Sequence, residues 1–428
     1  MKTTRISLKQ NIRDRKIKLP TKLTAFLLRL IIKTQMSGKP EYEYKFDQKQ
    51  LKNKQVVLLA DHSSRDNYLY VINGYKLANV NAVVGTHNFY DKFSYGFLLK
   101  AGAIAKNLYE PDVKAAMNMI SVVKMGGSLC LFPEGIQSSS GSNHPINPAT
   151  AKFLKKAGIT VVLCKSYGAY LSNPRYTRET FKGKRKYVYE VLFTPEELNE
   201  LSPEQIYDKL FEHFKYNDFI WNKDHGYEYY SKNGSITKGI ENLLYICPKC
   251  KSEFTVKETD GTVFCSECGN TVKVTPSYEF EVDGDNYMPF DSIDAWYKWQ
   301  RKVVKEQIKG DNYQECYPVS VNTLRDDKLT DDKYVNLGKG ILTINNKGIK
   351  YEGTFNGEQT EMFFDAKKTP SFSFTPGIDN DLYYNGFYYN FVPLNDKQKV
   401  VKYMLMVEEA HVLAGGSFKE VNIDTYGK

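Results

Sequence analysis

The sequence lacks any long uncharged apolar run. Charged side chains interrupt its hydrophobic stretches well before the ~20 consecutive apolar residues that a membrane-spanning helix needs. The first residues also lack the uninterrupted apolar core and the small-residue cleavage site of a secretory signal peptide. We therefore expect a cytoplasmic protein that does not cross the membrane.

Net charge is also scarce outside one segment. Of the 59 Lys and Arg residues, ten lie in residues 1–36 beside a single acid, Asp14, so the rest of the 428-residue chain carries 49 charges of each sign. Without a basic surplus on its folded part, the protein is not expected to bind nucleic acid. Its 41% hydrophobic and 25% charged residues are typical of soluble globular proteins, and its length favours two to four domains.

The basic segment, residues 1–36, contains one amphipathic helix. Apolar residues recur there at the spacing of a single helical stripe, with Lys22, Arg29 and Lys33 predicted on the other side. The stripe consists of Leu23, Phe26, Leu27, Leu30 and Ile31. A helix of this kind can lie in the surface of an anionic membrane or pack on its own domain. We interpret residues 1–36 as a membrane-surface arm and expect the protein on the inner face of the membrane.

Residues 37–235 alternate between strand-like and helix-like segments. Continuous apolar strands such as residues 56–60 and 159–163 indicate a sheet covered on both faces. Residues 202–223 predict one closing helix with Ser202 as its N-cap. The expected fold class is α/β, with a mixed sheet covered by helices.

Four of the seven cysteines form two CxxC pairs. Cys247 and Cys250 are followed, after fourteen residues, by Cys265 and Cys268, which is the spacing of a zinc ribbon. Two such turns bring four thiolates to tetrahedral positions around Zn²⁺ and leave no open position for catalysis. Disulfides are the alternative, which the missing secretory signal disfavours. We predict a small ribbon at residues 240–275 that holds a structural Zn²⁺.

Residues 276–428 are rich in Tyr and Phe and in turn signals. Asn346-Lys347 and Asn385-Gly386 each separate two strand-like segments, and the second is a strong type I′ hairpin signal. Residues 396–413 are predicted to form a carboxyl-terminal helix. Several antiparallel strands followed by one helix resemble a pleckstrin-homology-like or GRAM-like domain. We therefore predict an antiparallel β-barrel closed by that helix.

Two polar motifs follow apolar strands in the α/β region. His62 lies in Asp61-His62-Ser63-Ser64-Arg65-Asp66-Asn67, directly after the strand at residues 56–60. Seventy residues later, another apolar strand ends in Phe132-Pro133-Glu134-Gly135. The carboxyl ends of strands are where open α/β sheets place their functional groups, so we expect both motifs to face one cleft. His87, after a third strand, either lines the same cleft or has a packing role.

This order of motifs resembles the glycerolipid acyltransferase family, of the lysophosphatidate acyltransferase type, over about residues 40 to 235. The resemblance implies that His62 is the general base that takes a proton from an acceptor hydroxyl as it attacks a thioester. It implies acyl-CoA or acyl-carrier protein as the acyl donor and a lipid as the acceptor. The substrate-binding residues that it implies are Arg65, Lys106, Phe132, Pro133, Glu134 and Gly135.

The chain departs from the family pattern in two places. The pattern expects an aspartate at position 67, where this chain has Asn67, while Asp66 lies one residue early. Either Asp66 reaches the imidazole of His62 through an adjusted turn, or Asn67 orients it through its amide oxygen. Ile136-Gln137 replaces the usual Thr-Arg, which removes a phosphate ligand and leaves the acceptor lipid open.

We thus expect a peripheral membrane acyltransferase of phospholipid biosynthesis, related in type to 1-acylglycerol-3-phosphate O-acyltransferases. The alternative is a non-catalytic membrane adaptor whose acyltransferase-like region has decayed, which the replacements at positions 67 and 137 would explain.

Overall fold

The structure is a computed structural model, and it describes residues 7–418. The described strands form three sheets: a mixed seven-stranded sheet, a four-stranded antiparallel sheet and a seven-stranded antiparallel sheet. We call the first the α/β sheet, the second the ribbon and the third the carboxyl-terminal sheet.

The α/β region contains seven strands and eleven α-helices. The strands are β1 (Glu41–Tyr44), β2 (Val56–Ala60), β3 (Val80–Gly85), β4 (Ile104–Lys106), β5 (Ser128–Leu131), β6 (Thr160–Tyr167) and β7 (Lys186–Phe193). The helices are α1 (Leu8–Arg13), α2 (Lys22–Gln35), α3 (Gln48–Leu51), α4 (Asn67–Gly74), α5 (Lys92–Lys100), α6 (Val113–Lys124), α7 (Ala149–Ala157), α8 (Ala169–Ser172), α9 (Pro195–Glu200), α10 (Pro203–His213) and α11 (Asp218–Lys223). A 3₁₀ helix spans Thr86–Tyr90.

The α/β sheet has the order β1-β7-β6-β2-β5-β3-β4. Its neighbouring strands are parallel except for β6 and β7, which makes the sheet mixed. Every residue of β2 is buried, and alternate residues contribute to two hydrophobic clusters on opposite faces. Helices α6, α7 and α10 contribute to one cluster and α2 and α4 to the other. The prediction of a mixed sheet covered by helices is confirmed.

Two local predictions for this region were incomplete. The single helix expected at residues 202–223 is two helices, because Asn217 starts a new one and its side chain accepts hydrogen bonds from the backbone of Phe219 and Ile220. Phe214 and Tyr216, in the break, are buried. Strand β1 was not predicted, because its parallel pairing with β7 joins segments more than 140 residues apart.

The amino-terminal segment, predicted to be an arm, contacts both the α/β region and the carboxyl-terminal region. Ile12 is buried, and the guanidinium of Arg13 donates to both carboxylate oxygens of Asp112, at 2.5 and 2.7 Å. Ile17 belongs to the core of the α/β sheet.

Helix α2 packs on one side and is exposed on the other. Ala25 and Ile32 are buried, and Arg29 donates to the carbonyl oxygens of Tyr75 and Ala78. Arg29 is therefore held by the protein, whereas the predicted apolar stripe faces solvent. The exposed fractions are 67% for Leu23, 58% for Phe26, 49% for Leu27, 47% for Leu30 and 44% for Ile31. Within residues 7–418, no helix combines the length and the apolar character that crossing a membrane requires.

The remaining elements belong to the ribbon and the carboxyl-terminal sheet. The ribbon consists of β8 (Val256–Thr259), β9 (Thr262–Cys265), β10 (Thr271–Val274) and β11 (Phe280–Glu281), and it is followed by α12 (Ile293–Ile308). The carboxyl-terminal sheet consists of β12 (Glu315–Leu324), β13 (Tyr334–Asn345), β14 (Gly348–Phe355), β15 (Glu358–Asp365), β16 (Ser373–Thr375), β17 (Asp379–Tyr384) and β18 (Phe387–Pro393), followed by α13 (Val400–Leu413). Short 3₁₀ helices occur at Ile240–Asn242, Ala366–Lys368 and Lys397–Lys399.

The predicted barrel is instead an open sheet with the order β15-β14-β13-β12-β18-β17-β16. Both predicted hairpins are present, and Asn385 and Gly386 have the positive φ angles, 52° and 75°, of a type I′ turn. Hairpin signals determine neighbouring pairs only, whereas closure requires the two edge strands to pair. Here β16 has only three residues, and among the described strands it pairs with β17 alone. Helix α13 packs against the sheet, and one hydrophobic core joins them to the ribbon and α12.

Candidate functional site

A cavity of about 1760 Å³ lies where the carboxyl-terminal sheet faces the α/β region. His62, after β2, and Phe132 to Gly135, after β5, line it together, as the strand-end argument predicts. Apolar side chains from α2, α4, β3 and α5 form part of the lining, and β16 and β17 contribute Phe374, Asp381 and Tyr383. The site is therefore built from two regions of the chain.

His62 is fixed mainly through its backbone. Its N–H donates to Oε1 of Glu134 at 2.8 Å, and its carbonyl accepts from the N–H of Ser138 at 2.8 Å. The imidazole lies 5.0 Å from the ring of Phe132, centroid to centroid. Its Nδ1 atom is buried without a hydrogen-bond partner. Burial, aided by the positive charge of Arg175, lowers the pKa of His62 to about 4, so the ring is neutral at pH 7.

Glu134 lines the cavity and also hydrogen-bonds two loops. Its Oε2 accepts from the N–H of His144 at 2.6 Å and from the hydroxyl of Tyr216 at 3.4 Å, while Oε1 holds His62. Burial raises the pKa of Glu134 to about 8, and the backbone donors of His144 and His62 oppose this shift. This carboxyl group thus joins two loops, and its role in substrate binding stays a prediction.

Neither predicted orienting residue reaches the imidazole. The carboxylate of Asp66 pairs with Nη1 of Arg185, at 3.0 Å to each oxygen, and accepts from Ser64. The Nδ2 of Asn67 donates to the carbonyl and to Oδ1 of Asp61, at 2.7 and 3.2 Å. Neither side chain hydrogen-bonds the ring of His62 in this structure, and the Oδ1 of Asn67 is buried without a partner, so the orienting role of Asp66 or Asn67 stays a prediction.

Asp66 and Asn67 contact other buried polar groups that need hydrogen-bond or ion-pair partners. Arg185 is buried and needs a carboxylate, since an unpaired buried cation is costly. Asp61 is 1% exposed and also accepts from the backbone N–H of Ser166, at 2.6 Å, which ties the end of β2 to β6. A role for Asp61 was not predicted, although its position directly after a fully apolar strand could have indicated one.

The two predicted cations line the cavity but have protein partners. Arg65 donates to the carbonyl of Arg178 at 3.0 Å, and Lys106 donates to the carbonyl of Asn107 at 2.9 Å. Burial lowers the pKa of Lys106, and the nearby carboxylate of Asp112 opposes this shift.

A third cation, Arg175, was not predicted. It is buried, lines the cavity, and donates to the carbonyl of Gln137 at 2.5 Å and to that of Phe374 at 2.7 Å. Its guanidinium lies 4.3 Å from the centroid of the Phe374 ring. Arg175 thus joins the Phe-Pro-Glu-Gly loop to the carboxyl-terminal sheet. No local sequence pattern identifies it, because it follows the short helix α8, far along the chain from both partners.

His87 also lines the cavity, which was one of the two predicted possibilities; the other was a packing role. Its ring is stacked on Tyr388 of β18 with 6.0 Å between centroids, and its Nδ1 is buried without a partner. Burial lowers the pKa of His87 to about 3. His144 is buried elsewhere, with Nε2 3.2 Å from the hydroxyl of Ser139.

The four cysteines of the ribbon form a separate cluster. Their Sγ atoms all lie within 4.8 Å of one another, with 3.7 Å between Cys247 and Cys268 and between Cys250 and Cys265. Four thiolates about 2.3 Å from a tetrahedral metal would be about 3.8 Å apart, so the residues fit such an ion. A disulfide needs about 2.05 Å, and all four cysteines are unpaired. The predicted cluster is confirmed as a group that can hold a metal ion.

Comparisons with known proteins give only distant structural similarity. No protein-family model matches the chain, and no curated protein matches it. Among solved structures, the chain is similar to the crystal structure of the 1-acyl-sn-glycerophosphate (LPA) acyltransferase PlsC from Thermotoga maritima, with 15% identity and a TM-score of 0.37. The similarity covers 45% of this chain and 76% of that chain. A likeness this distant assigns no chemistry to any residue.

Proposed function

We propose that the protein transfers a fatty acyl group from acyl-CoA or acyl-carrier protein to the hydroxyl of a lysophospholipid-like acceptor, with His62 as the general base. The observation that carries the proposal is the neutral imidazole of His62 in the wall of a large cavity, beside the Phe-Pro-Glu-Gly loop. The cavity has both the apolar lining that an acyl chain needs and the polar groups that a head group needs.

The reaction needs one proton acceptor. As the acceptor hydroxyl attacks the thioester carbonyl, a C–O bond forms, the C–S bond breaks, and the hydroxyl proton moves to His62. The imidazolium then gives that proton to the departing thiolate, so the ring returns to its neutral form. Since Nδ1 has no carboxylate partner, His62 lacks the charge stabilisation of a base–orienter pair. We therefore expect slow turnover.

Part of the cavity suits the acyl chain. Ile32 of α2, Ile72 of α4, Ala82 of β3 and Phe97 of α5 belong to one hydrophobic cluster and line the cavity. We call these four side chains the apolar compartment. Helix α2 links this compartment to the exterior, because Ile32 lies on its packed side while its apolar stripe is exposed.

The exposed stripe of α2 supports docking on a lipid surface. Its apolar side chains would enter the interfacial region of the membrane, and Lys22 and Lys33 beside them would contact anionic head groups at about 1 kcal/mol each. A peripheral position on the inner face of the membrane would deliver amphiphilic substrates directly to the cavity.

We also propose that the ribbon holds one structural Zn²⁺. Four thiolates at tetrahedral spacing favour Zn²⁺ among common ions and leave no open coordination position. The ion would stabilise the ribbon, whose hydrophobic residues share one core with the carboxyl-terminal sheet.

The test is acyl transfer by the purified full-length protein bound to anionic vesicles. Radiolabelled acyl-CoA and acyl-carrier protein are each supplied with a panel of lysolipids, and products are separated by chromatography. We expect an acylated lysolipid that increases linearly with enzyme concentration. If no donor and acceptor pair gives product while the protein binds the vesicles, the acyltransferase proposal fails.

That negative result would favour the second candidate, a membrane adaptor. The observation behind it is that Glu134, Asp66 and the amide nitrogen of Asn67 all hydrogen-bond other groups of the protein.

A further inference from the structure

The part of the cavity next to the carboxyl-terminal sheet contains polar atoms without partners. The Nδ1 of His87 and the hydroxyls of Tyr109 and Tyr383 are buried with no hydrogen-bond partner. The carboxylate of Asp381 accepts no hydrogen bond and forms no ion pair with any residue in the described part of the chain. All four side chains line the cavity, together with Arg175. We call this set the polar compartment.

Unpaired groups that line a cavity can be satisfied by a ligand. Buried polar atoms in folded proteins nearly always have partners, and leaving one unpaired costs about 1–3 kcal/mol. Asp379, on the same strand, lies outside the cavity lining, and its Oδ2 accepts from Nδ2 of Asn390 at 2.9 Å. The unpaired groups therefore mark where a ligand would supply the missing hydrogen bonds.

The backbone conformation of Tyr109 is a second observation that indicates a binding site. Its φ angle is +58°, in the left-handed region that residues other than glycine rarely occupy. A Cβ atom placed on Gly135 would lie 3.6 Å from the hydroxyl of Tyr109, so this ring packs directly on the Phe-Pro-Glu-Gly loop. Backbone strain of this kind persists where the surroundings hold a side chain in place, and it concentrates at binding sites.

The residue types indicate what the ligand must offer. Burial raises the pKa of Asp381 to about 7, so its carboxyl group accepts hydrogen bonds when ionised and also donates one when protonated. Tyrosine hydroxyls donate or accept, and His87 does either according to its tautomer. A phosphate monoester offers almost only acceptors and two negative charges, which would oppose Asp381. The cations Lys106 and Arg175 already donate to backbone carbonyls. A head group with several hydroxyls offers donors and acceptors together and is uncharged.

We propose that the polar compartment binds a polyhydroxylated head group, of the sugar or cyclic polyol class, with Asp381 as the main hydrogen-bonding partner of its hydroxyls. This inference rests on the proposed acyltransferase function in one respect, because it names the head group of the acceptor that His62 would deprotonate. The carboxyl-terminal sheet then determines which acceptor the α/β region acylates.

The experiment measures binding, so its outcome does not depend on catalysis. Isothermal titration of the full-length, metal-loaded protein compares octyl β-glucoside, monooctyl phosphate and octyltrimethylammonium, each below its micelle concentration. The three probes share one chain and differ only in the head group. We expect the glucoside to bind at least tenfold more tightly than either of the others.

Three variants identify the compartment. Asp381→Asn should weaken glucoside binding about tenfold, whereas Asp379→Asn, the matched change on the same strand outside the cavity, should leave it unchanged. Tyr109→Phe should weaken it severalfold without lowering the melting temperature, because the hydroxyl it removes has no partner. Tyr109→Phe keeps the test decisive if Asp381→Asn folds poorly.

The two failures are distinguishable. Equal or tighter binding of the phosphate or of the ammonium probe would overturn the polyol assignment, and so would a Tyr109→Phe variant that binds the glucoside like wild type. His62→Ala should retain glucoside binding in either case. If wild type shows selective glucoside binding but no acyl transfer to any acceptor, the acyltransferase proposal fails while the polyol site stands.

Discussion

The cysteine cluster lies between positions 247 and 268, whereas the cavity around His62 is lined by residues between positions 20 and 418. In the ribbon, two short turns bring every ligand atom together, so the sequence spacing alone indicates the chemistry. In the cavity, the partner of each side chain depends on which distant segment packs against it. A local motif therefore predicts a closed metal site well, but it predicts only the position of His62 and not its surroundings.

The largest effect should come from losing the metal. Structural zinc in small zinc-finger peptides contributes about 10–16 kcal/mol at neutral pH, so Cys250→Ser should unfold the ribbon and lower the melting temperature by more than about 10 °C. Metal analysis should find one zinc per chain in wild type and much less in the variant. Cys316→Ser, at an exposed cysteine outside the cluster, is the control and should change neither value. A full complement of zinc in Cys250→Ser would contradict the assignment.

The second-largest effect should come from the ion pair between Asp66 and Arg185, where the sequence had predicted a contact between Asp66 and His62. Asp66→Ala should destabilise the protein by about 3 kcal/mol, because it leaves Arg185 buried without its carboxylate. Denaturant unfolding measures this loss. The turnover number of the folded fraction should stay within about twofold of wild type. A large fall in turnover at unchanged stability would restore Asp66 as a residue that acts on His62.

Membrane binding should depend on the exposed stripe of α2. Replacing Phe26 and Leu30 with Ser removes two large side chains that would each contribute on the order of 1.5 kcal/mol on burial, so partitioning into anionic vesicles should fall at least tenfold. Vesicle co-sedimentation measures the change. Phe363→Ser, at an equally exposed apolar residue on β15, serves as the control. If both changes had the same effect, α2 would not be the docking element.

The smallest effect should appear in the pH dependence. Because the pKa of His62 is lowered to about 4, the neutral base persists below the usual imidazole range, and kcat/KM should fall only below about pH 5. Stability behaves differently. The lowered pKa values of His62, His87 and His144 decrease stability as pH falls below about 6.5, because the unfolded chain binds these protons first. The raised pKa values of Glu134, Asp218 and Asp381 act in the opposite direction, so we expect stability to change little between about pH 6.5 and 5. An activity midpoint near 6.5 would contradict the buried environment of His62.

The sequence predicted the structural features that depend on neighbouring residues and did not predict those that depend on distant segments. Strand β2, the two carboxyl-terminal hairpins and the cysteine cluster follow from patterns within a few residues, and all were anticipated. The sequence did not indicate that the carboxyl-terminal sheet stays open, because closure depends on pairing between edge strands.

The site shows the same limit. His62 and the Phe-Pro-Glu-Gly loop were expected to share a cleft, and they do. The pairing of Asp66 with Arg185 joins positions 119 residues apart, and the contact of Arg175 with Phe374 joins positions 199 apart. No periodicity or motif in one sequence indicates contacts over such separations. Asp381 was missed for the same reason, since its importance depends on the cavity that it faces.

The central claim is that the imidazole of His62 performs the chemistry, and one comparison of variants tests it most directly. The rate of acyl transfer to the best acceptor is measured for His62→Ala and for His87→Ala, two histidines that line the same cavity. Removing a general base typically costs 10²–10⁴-fold. We predict that loss for His62→Ala at an unchanged melting temperature, and less than tenfold loss for His87→Ala. Equal rates for His62→Ala and wild type would contradict the account.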